Sequence, residues 1–395
     1  MTHRESSWRH GPARRDALRA LAAFIAGSPL AAFQQDPFRD HSRVPRLDEL
    51  MTALDFESVA YAKLPRSVYD YMSYGTDSEF TLRRNREAFD WVKLVPGAIG
   101  GSQAPITATE ILGTKMPAPI MISPTAGHQQ LHPEGEVATY QGATAAGATP
   151  MIVSNVSSLP FEKIAPAAKG PLWFQLYPKD DPEANRDTLE RVQGAGAKAI
   201  VVTIDQQASV YERALHDRNL GGVSPRLRQR RGAPRNPYRV DEGRLWYEWK
   251  LFDQIRPIVK VPIIAKGVLT PEDAKICLEH GVDSVYVSNH GGRSLDYGPS
   301  TLEVLPEIVD AVGSRVPILF DSGIRRGSDI LKALALGARA VCLGRIPRWG
   351  LGSYGAPGVQ RILEIMQAEL KQAMAFTGRS TLQSIDRSLV RVNFP

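Results

Sequence analysis

Cysteine is scarce in this sequence. Only Cys277 and Cys342 occur among the 395 residues, and each lies inside an apolar segment, the first in a predicted helix and the second in a predicted strand. So few thiols exclude a disulfide framework, and neither they nor His128 and His132 have partners at metal-ligand spacing. We therefore predict two buried structural thiols and no metal site.

The sequence also lacks an apolar run long enough to cross a bilayer stably. Residues 14–35 open with paired arginines, continue with a short, interrupted apolar stretch and end in small residues. This order is typical of a twin-arginine export signal, so we predict a leader over residues 1–45 and a periplasmic location. Asp16 and Arg19, together with the lack of a clean A-x-A cleavage site, favour the alternative of a disordered or amphipathic leader on a cytoplasmic protein.

Signatures of nucleic-acid binding are absent, although the formal net charge is +6. Acidic residues are missing from residues 221–240, which contain six arginines. The pattern predicts a solvated loop, and its alternatives are a lid, contact with an anionic membrane surface, or an acidic partner.

Short β-branched runs dominate the chain from about residue 119, after a stretch at 46–95 that predicts helices and turns. Stretches with helical spacing separate most of the runs, and several of these close on glycine. Eight strands that alternate with helices predict a (β/α)8 TIM barrel, with a long inserted loop at 206–261 after the fourth strand. The domain is predicted over 46–395. The runs are 119–126, 150–155, 172–177, 199–205, 262–268, 284–290, 317–323 and 340–345.

Polar side chains gather at the ends of these predicted strands. Active sites of such barrels form at the carboxyl ends of the strands, so these residues are candidates for chemistry. They are Thr125, Ser154, Gln175, Tyr177, Thr203, Asp205, Lys266, Ser288, His290, Asp321, Gly344 and Arg345.

The last two strands lead into glycine-rich turns followed by helices, "FDSGIRRGSD" and "LGRIPRWG". Backbone N–H groups at a helix start attract phosphate, and Arg325 and Arg345 add donors. The turns predict a ligand that bears a phosphate. The alternative is that the glycines only make tight turns.

The segment "SNHGGRSLD" places His290 and Arg293 at the end of the sixth strand. A guanidinium binds a carboxylate in a bidentate fork, and a neutral imidazole is a competent base near neutral pH. The pair suits a substrate with a carboxylate and a removable hydrogen on the adjacent carbon, and Asp205 could fix the imidazole tautomer. Lys266 could form a Schiff base or offset charge on an electron-rich cofactor, so a phosphate-binding barrel lyase is an alternative.

Longer motifs resemble one family. "SNHGGRSLDYGPSTLEVLPEI", "DSGIRRGSDILKALALGARAVCLGR", "PTAGHQQLHPEGEVAT", "WFQLY" and "LPRSVYDYMSYGTDSEFTLRRNREAF" are similar, in order, to the FMN-dependent α-hydroxy-acid oxidases and dehydrogenases. The resemblance runs from about residue 50 to the C-terminus. It implies FMN-dependent oxidation of an L-2-hydroxy acid to the 2-oxo acid. Oxygen, or a membrane or protein electron acceptor, would then reoxidise the flavin, and a homo-oligomer is implied.

The resemblance also implies roles for individual residues. His290 would receive the α-proton, with Asp205 as its partner and Tyr177 hydrogen-bonded near the substrate hydroxyl. Arg293, Arg213 and Tyr71 would hold the substrate carboxylate. The implied FMN contacts are Lys266 at the flavin N1 and O2, Pro124, Thr125, Ala126, Ser154, Gln175, Thr203 and Ser288 along the isoalloxazine, Asp321, Ser322 and Gly323 along the ribityl chain, and Arg325, Gly344 and Arg345 at the phosphate.

Some positions depart from the family pattern. Ser322 replaces the first glycine of the usual Asp-Gly-Gly, and Ala214 stands where a glutamate usually follows the second arginine. "DQQASVYER" replaces the familiar segment after the fourth strand, which leaves a non-catalytic FMN-binding protein as an alternative. Val156 occupies the place of a bulky aromatic, and this predicts room for a larger substrate side chain.

Overall fold

A closed barrel of eight parallel strands forms the centre of the computed structural model, which describes residues 43–97, 104–206 and 245–395. Strands that follow one another in the chain are neighbours in the barrel, and the last pairs with the first through Val341 and Ile120. The predicted (β/α)8 barrel is thereby confirmed. The strands are β1 (Val92–Leu94), β2 (Thr109–Ile111), β3 (Thr114–Met116), β4 (Ile120–Ile122), β5 (Met151–Ser154), β6 (Leu172–Leu176), β7 (Ile200–Thr203), β8 (Ile263–Val268), β9 (Ser284–Val287), β10 (Ile318–Phe320), β11 (Ala340–Leu343) and β12 (Val390–Val392), of which β4–β11 form the barrel.

Helices follow most barrel strands, as the spacing predicts. Side-chain caps start several of them: Asp181 accepts hydrogen bonds from two backbone N–H groups, and Thr270 accepts one from Asp273. The helices are α1 (Asp55–Lys63), α2 (Arg66–Ser73), α3 (Phe80–Glu87), α4 (Gly135–Ala145), α5 (Phe161–Ile164), α6 (Pro182–Gly194), α7 (Leu251–Ile255), α8 (Pro271–Glu279), α9 (Thr301–Val312), α10 (Gly327–Ala335) and α11 (Arg345–Phe376).

Two apolar layers result from the alternation of side chains along the strands. Ile152, Trp173 and Tyr286 belong to a cluster inside the barrel, whereas Val153, Phe174 and their counterparts pack outward against the helices. Cys277 and Cys342 are both buried free thiols, in agreement with the prediction from their apolar surroundings.

A hairpin closes the amino-terminal end of the barrel. The strands β2 and β3 join through Leu112 and Gly113, which have φ values of 49° and 75°, as a two-residue hairpin loop requires. Inside the barrel, the Trp173 indole N–H donates to the Thr114 hydroxyl at 2.9 Å. The site must therefore open at the opposite, carboxyl end.

The N-terminal helical segment predicted at 46–95 is present as α1, α2 and α3, and it ends in β1. This strand pairs antiparallel with β12 near the C-terminus of the chain. Arg46–Pro395 forms one compact unit. The helix α7 occupies part of the predicted loop 206–261, while 221–240 and most of the predicted leader lie outside the described residues. In the described ranges, no helix combines the length and the apolar character that a membrane span needs.

Candidate active site

The predicted polar residues of the described ranges do lie at the carboxyl ends of the barrel strands. Thr203 ends β7 and is followed by Asp205, whereas Ser288 and His290 follow β9. Asp321 follows β10, and Gly344 with Arg345 follows β11. The barrel therefore collects residues that are far apart in sequence around one opening.

His290 is the centre of this opening. Its Nδ1 lies 2.9 Å from Asp205 Oδ1, and the second carboxylate oxygen, Oδ2, accepts a hydrogen bond from Lys266 Nζ at 3.2 Å. Because the carboxylate only accepts, the proton of a neutral imidazole lies on Nδ1 and leaves Nε2 as the basic nitrogen. That nitrogen lies 3.5 Å from the Tyr177 hydroxyl and 3.3 Å from Gln206 Nε2.

Electrostatic interactions favour the neutral form of His290 and the ionised form of Asp205. Burial lowers the pKa of His290 below its usual value, and Asp205 opposes this shift. Burial alone would raise the pKa of Asp205, but its interactions with His290 and Lys266 lower it to about 2. A neutral imidazole beside an ionised carboxylate is the arrangement that a general base needs.

Unusual backbone conformations place these groups. His290 has φ 57°, in the left-handed region that non-glycine residues seldom adopt. Gly267, with φ 110°, follows Lys266, and a Cβ atom there would lie 2.5 Å from the Asp205 Cβ. Since only glycine leaves that space, Gly267 allows the carboxylate to approach the lysine.

Arg293 lies beside the N-terminal helix α2. It donates to the Tyr71 carbonyl oxygen at 2.9 Å and to the Tyr74 hydroxyl at 2.8 Å, and its guanidinium lies 4.0 Å from the Tyr74 ring centre. The structure thus brings the predicted pair Arg293 and Tyr71 together. Arg213, the other predicted carboxylate ligand, lies outside the described residues, as does Ala214.

Buried polar atoms near the mouth suit a flavin ring. Gln175 Nε2 and Thr203 Oγ1 are buried and have no hydrogen-bond partner in the described part of the chain. Ser154 Oγ donates to Gln175 Oε1 at 3.0 Å, and this contact orients the amide. Buried donors and acceptors normally have partners, so these atoms fit the polar edge of the predicted isoalloxazine. Ser288, which is fully buried, accepts a hydrogen bond from the His290 N–H at 3.2 Å.

The first strand end contributes Pro124, Thr125 and Ala126, which are half-buried after β4. Thr125 Oγ1 lies 2.8 Å from Nε2 of His128, whose Nδ1 lies 2.9 Å from Thr139 Oγ1. Burial lowers the pKa of His128 to about 3. His128 is therefore a neutral structural link between the Thr125 loop and the helix α4.

The segment Asp321 to Gly323 explains how a serine is accommodated in place of glycine. Ser322 has φ 84°, and its hydroxyl donates to Asp321 Oδ1 at 2.8 Å and accepts from the Gly291 N–H at 3.2 Å. The hydroxymethyl group therefore links two loops. At Gly323 a Cβ atom would lie 2.0 Å from the Asn85 carbonyl oxygen, so this glycine is required by the packing of α3.

Arginines surround the predicted phosphate site. Arg325 donates to the Ile324 carbonyl oxygen at 2.8 Å, and Arg345 donates to the Gly291 carbonyl oxygen at 2.9 Å. Burial, with the charges of neighbouring arginines, lowers the pKa of Arg345 to about 9. At Gly344 a Cβ atom would find only Thr125 Cγ2, at 3.9 Å. The buried positive charges of Arg325 and Arg345, beside the unobstructed backbone at Gly344, fit a phosphate.

Sequence reasoning missed several residues of the site. Gln206 touches the basic nitrogen of His290, and Tyr74 contacts both Arg293 and Arg345. Tyr286 donates to Asp321 Oδ2 at 2.9 Å. Gln206 adjoins Asp205, so its position beyond the strand end was a usable signal. The side chains of Tyr74 and Tyr286 gave no such signal, because their contacts depend on tertiary packing.

The fold and this site define a flavin-dependent barrel oxidoreductase, and comparisons with known proteins agree. Residues 60–392 match the model of the family described as FMN-dependent dehydrogenase, so the chain belongs to that FMN-dependent family. It is 37% identical over 354 residues to a peroxisomal (S)-2-hydroxyacid oxidase of Arabidopsis thaliana, covering 87% of this chain and 97% of the relative. It is also 37% identical over 365 residues to 2-hydroxyacid oxidase 1 of Homo sapiens, covering 88% and 98%.

A crystal structure of mandelate oxidase with (S)-2-phenylpropionate superposes with a TM-score of 0.77 at 31% identity, covering 87% of this chain and 99% of that chain. The predicted family, the FMN cofactor and the oxidation of a 2-hydroxy acid are thus confirmed. The lyase and non-catalytic alternatives gain no support. In particular, the Lys266 amine is held in an ion pair with Asp205, at 3.2 Å, rather than presented as a nucleophile.

Proposed function

We propose that the protein oxidises an L-2-hydroxy acid to the 2-oxo acid with His290 as the catalytic base. The observation that carries this proposal is the buried chain of contacts from Lys266 through Asp205 to His290, at 3.2 Å and 2.9 Å. The basic Nε2 of His290 would accept the proton from the substrate, and ionised Asp205 would stabilise the resulting imidazolium. Tyr177, beside the same nitrogen, would hydrogen-bond the substrate hydroxyl.

Arg293 would hold the substrate carboxylate, with Tyr71 and Arg213 as its partners. A guanidinium that is already fixed by Tyr71 and Tyr74 loses little freedom on binding, so it orients the substrate at a small entropic cost. This orientation would place the hydrogen on the adjacent carbon toward His290.

FMN, when bound, accepts the two electrons of the oxidation. Gln175 and Thr203 would hydrogen-bond its ring, and Lys266 would place a positive charge beside it. Along the ring would lie Pro124, Thr125, Ala126, Ser154 and Ser288. The ribityl chain and phosphate would be held by Asp321, Ser322, Gly323, Arg325, Gly344 and Arg345.

Oxygen is the electron acceptor that we favour over a membrane or protein acceptor. The relatives from Arabidopsis thaliana and Homo sapiens are described as oxidases, and the family model as a dehydrogenase, so the relatives support oxygen without excluding the alternative. The homo-oligomer implied by the family resemblance, and membrane contact through 221–240, remain predictions.

Cellular location depends on the leader, which lies outside the described residues except for its last few positions. The Arabidopsis thaliana relative is described as peroxisomal, and nothing in the comparisons supports twin-arginine export of this chain. Export therefore remains only a prediction. Fusion of residues 1–45 to a reporter that folds before export would test it, and retention of the reporter in the cytoplasm would exclude it.

Anaerobic mixing of the FMN-loaded protein with a panel of L-2-hydroxy acids tests the proposed function. We expect at least one acid to bleach the flavin absorbance and to yield the 2-oxo acid in equal amount. Admission of air should then restore the colour within seconds if oxygen is the acceptor. A flavin that stays oxidised with every acid would refute the proposed function, whereas bleaching followed by slow recolouring would refute only the choice of oxygen.

A further inference from the structure

Arg348 is a buried cation to which none of the roles above applies. It lies in the first turn of α11, three residues after Arg345, and only 8% of it is exposed. Its Nε and Nη2 atoms are buried and have no hydrogen-bond partner in the described residues. A buried guanidinium with free donors is costly unless an anion completes it.

The surroundings of Arg348 point toward the substrate. Arg345, one turn earlier in α11, donates to the Tyr74 carbonyl oxygen at 2.8 Å, and Arg293 donates to the Tyr74 hydroxyl at 2.8 Å. Arg348 therefore lies one helical turn from a residue that shares Tyr74 with the proposed carboxylate grip, and its electrostatic neighbours include Tyr71 and Arg293. Burial lowers the pKa of Arg348 to about 10, so the side chain is still charged at neutral pH. Arg348 therefore adds a buried cation with unpaired donors in the described residues to the arginines, Arg293 and Arg213, that are already assigned to the first carboxylate.

Glu136 is the acidic residue whose negative charge acts on Arg348, but it forms no ion pair with the guanidinium in the described residues. Its Oε1 accepts from the backbone N–H groups of His128 and Ser158, at 3.2 Å and 2.8 Å. Its Oε2 is buried without a partner in the described part of the chain, and none of the ion pairs found there joins it to Arg348. The donors of Arg348 therefore remain available to a ligand.

We propose that Arg348 binds a second anionic group on the substrate, so that the enzyme prefers 2-hydroxy acids with a second carboxylate. This inference rests on the proposed function, because Arg293 is taken by the first carboxylate. The small side chain of Val156, half-buried after β5, is consistent with a substrate that extends beyond the reacting carbons.

A matched pair of substrates tests the inference. L-2-hydroxyglutarate and L-2-hydroxyvalerate both have five carbons and differ in the second carboxylate. We expect the wild-type holoenzyme to be reduced more efficiently by the diacid. In R348Q the diacid-to-monoacid ratio of kcat/KM should fall about tenfold or more, since a charge-assisted hydrogen bond is lost. The control R361Q removes another arginine of α11 whose Nε is buried without a partner in the described residues, and it should keep the wild-type ratio.

Binding supplies a readout that does not depend on turnover. The perturbation of the flavin spectrum by 2-oxoglutarate and by 2-oxovalerate gives two dissociation constants, and R348Q should weaken the first about tenfold relative to the second. Weakened FMN binding with an unchanged ratio would assign Arg348 to the phosphate and overturn the inference. If R348Q only lowered the melting temperature, Arg348 would be assigned a structural role beside Glu136, and the inference would again be overturned.

The two proposals fail in different ways. If monoacids bleach the flavin and the diacid shows no advantage, the proposed function stands and the inference is wrong. If no 2-hydroxy acid bleaches the flavin, the proposed function is wrong and the inference falls with it.

Discussion

Asp205 holds two side chains at once, since each of its carboxylate oxygens has a different partner. One oxygen fixes the Nδ1 proton of His290, and the other holds the Lys266 ammonium. The carboxylate thus sets the tautomer of the base and also orients the cation proposed to lie beside the flavin. A substitution at this residue should therefore affect chemistry much more than folding.

Asp205→Asn should slow flavin reduction about 10²- to 10⁴-fold, because an amide can present its N–H to Nδ1 and reverse the tautomer. Anaerobic stopped-flow mixing with a saturating 2-hydroxy acid measures the rate. The control Asp310→Asn breaks an exposed ion pair with Arg387 and should retain the wild-type rate. A D205N rate within threefold of wild type, at full FMN content, would contradict the assignment.

The burial of His128 should make the stability of the fold sensitive to acid. Burial lowers its pKa from 6.5 to about 3. Between these two pH values the unfolded chain therefore binds a proton at His128 and the folded chain does not. Its contribution to stability is complete above about pH 6.5 and is lost as the pH falls toward 3, at about 1.4 kcal/mol per pH unit across that interval. Unfolding midpoints between pH 7 and pH 4 should therefore fall less steeply in His128→Gln than in wild type. Equal slopes would exclude His128 as the source.

At the scale of elements, Glu303 joins the start of α9 to α3. The Ser300 hydroxyl accepts from the Glu303 N–H, and the Glu303 carboxylate accepts from the Ser300 hydroxyl at 2.8 Å. Arg84 of α3 reaches the same carboxylate. This capping box therefore also fixes an N-terminal helix against the barrel.

Glu303→Ala should lower the free energy of unfolding by about 1–2 kcal/mol, the sum of a lost cap and a partly buried ion pair. Urea unfolding followed by fluorescence gives the value. Glu307→Ala changes an exposed residue of the same helix and should cost less than about 0.5 kcal/mol. A similar loss in both variants would mean that helix propensity, rather than the cap, accounts for the effect.

The barrel strands could be predicted from the sequence because each is a short buried run that ends in polar residues. Gln175, Lys266 and His290 were identified on that basis alone. The pairing of β1 with β12 could not be predicted, because three-residue strands that are about 300 residues apart carry no periodic signal. The contacts of Tyr74 were inaccessible for the same reason, since they arise from long-range packing.

At the scale of the whole molecule, β12 anchors the N-terminal segment. Val92 and Val390 are both buried, and Val92 pairs with Val392. Phe394 packs edge-on against Trp91, with ring centres 6.4 Å apart. The strand β12 and Phe394 therefore hold β1 and Trp91, which follow the N-terminal helices, in place.

Deletion of residues 390–395 should lower the free energy of unfolding by about 2 kcal/mol or more, from the buried area of Val390 and its contacts. Thermal unfolding of the FMN-loaded protein tests this, and deletion of Pro395 alone is the control. The shorter deletion should have the same melting temperature as the wild type. If the longer deletion also had the melting temperature of the wild type, the pairing of β1 with β12 would contribute nothing to stability.

The same pairing constrains the order of events during synthesis. The strand β1 leaves the ribosome roughly three hundred residues before its partner, so it cannot complete its ladder as it emerges. Residues that are made much later complete the packing of an early strand. A chain that stalls before residue 390 therefore leaves the strand β1 without its partner, however much of the barrel has already formed.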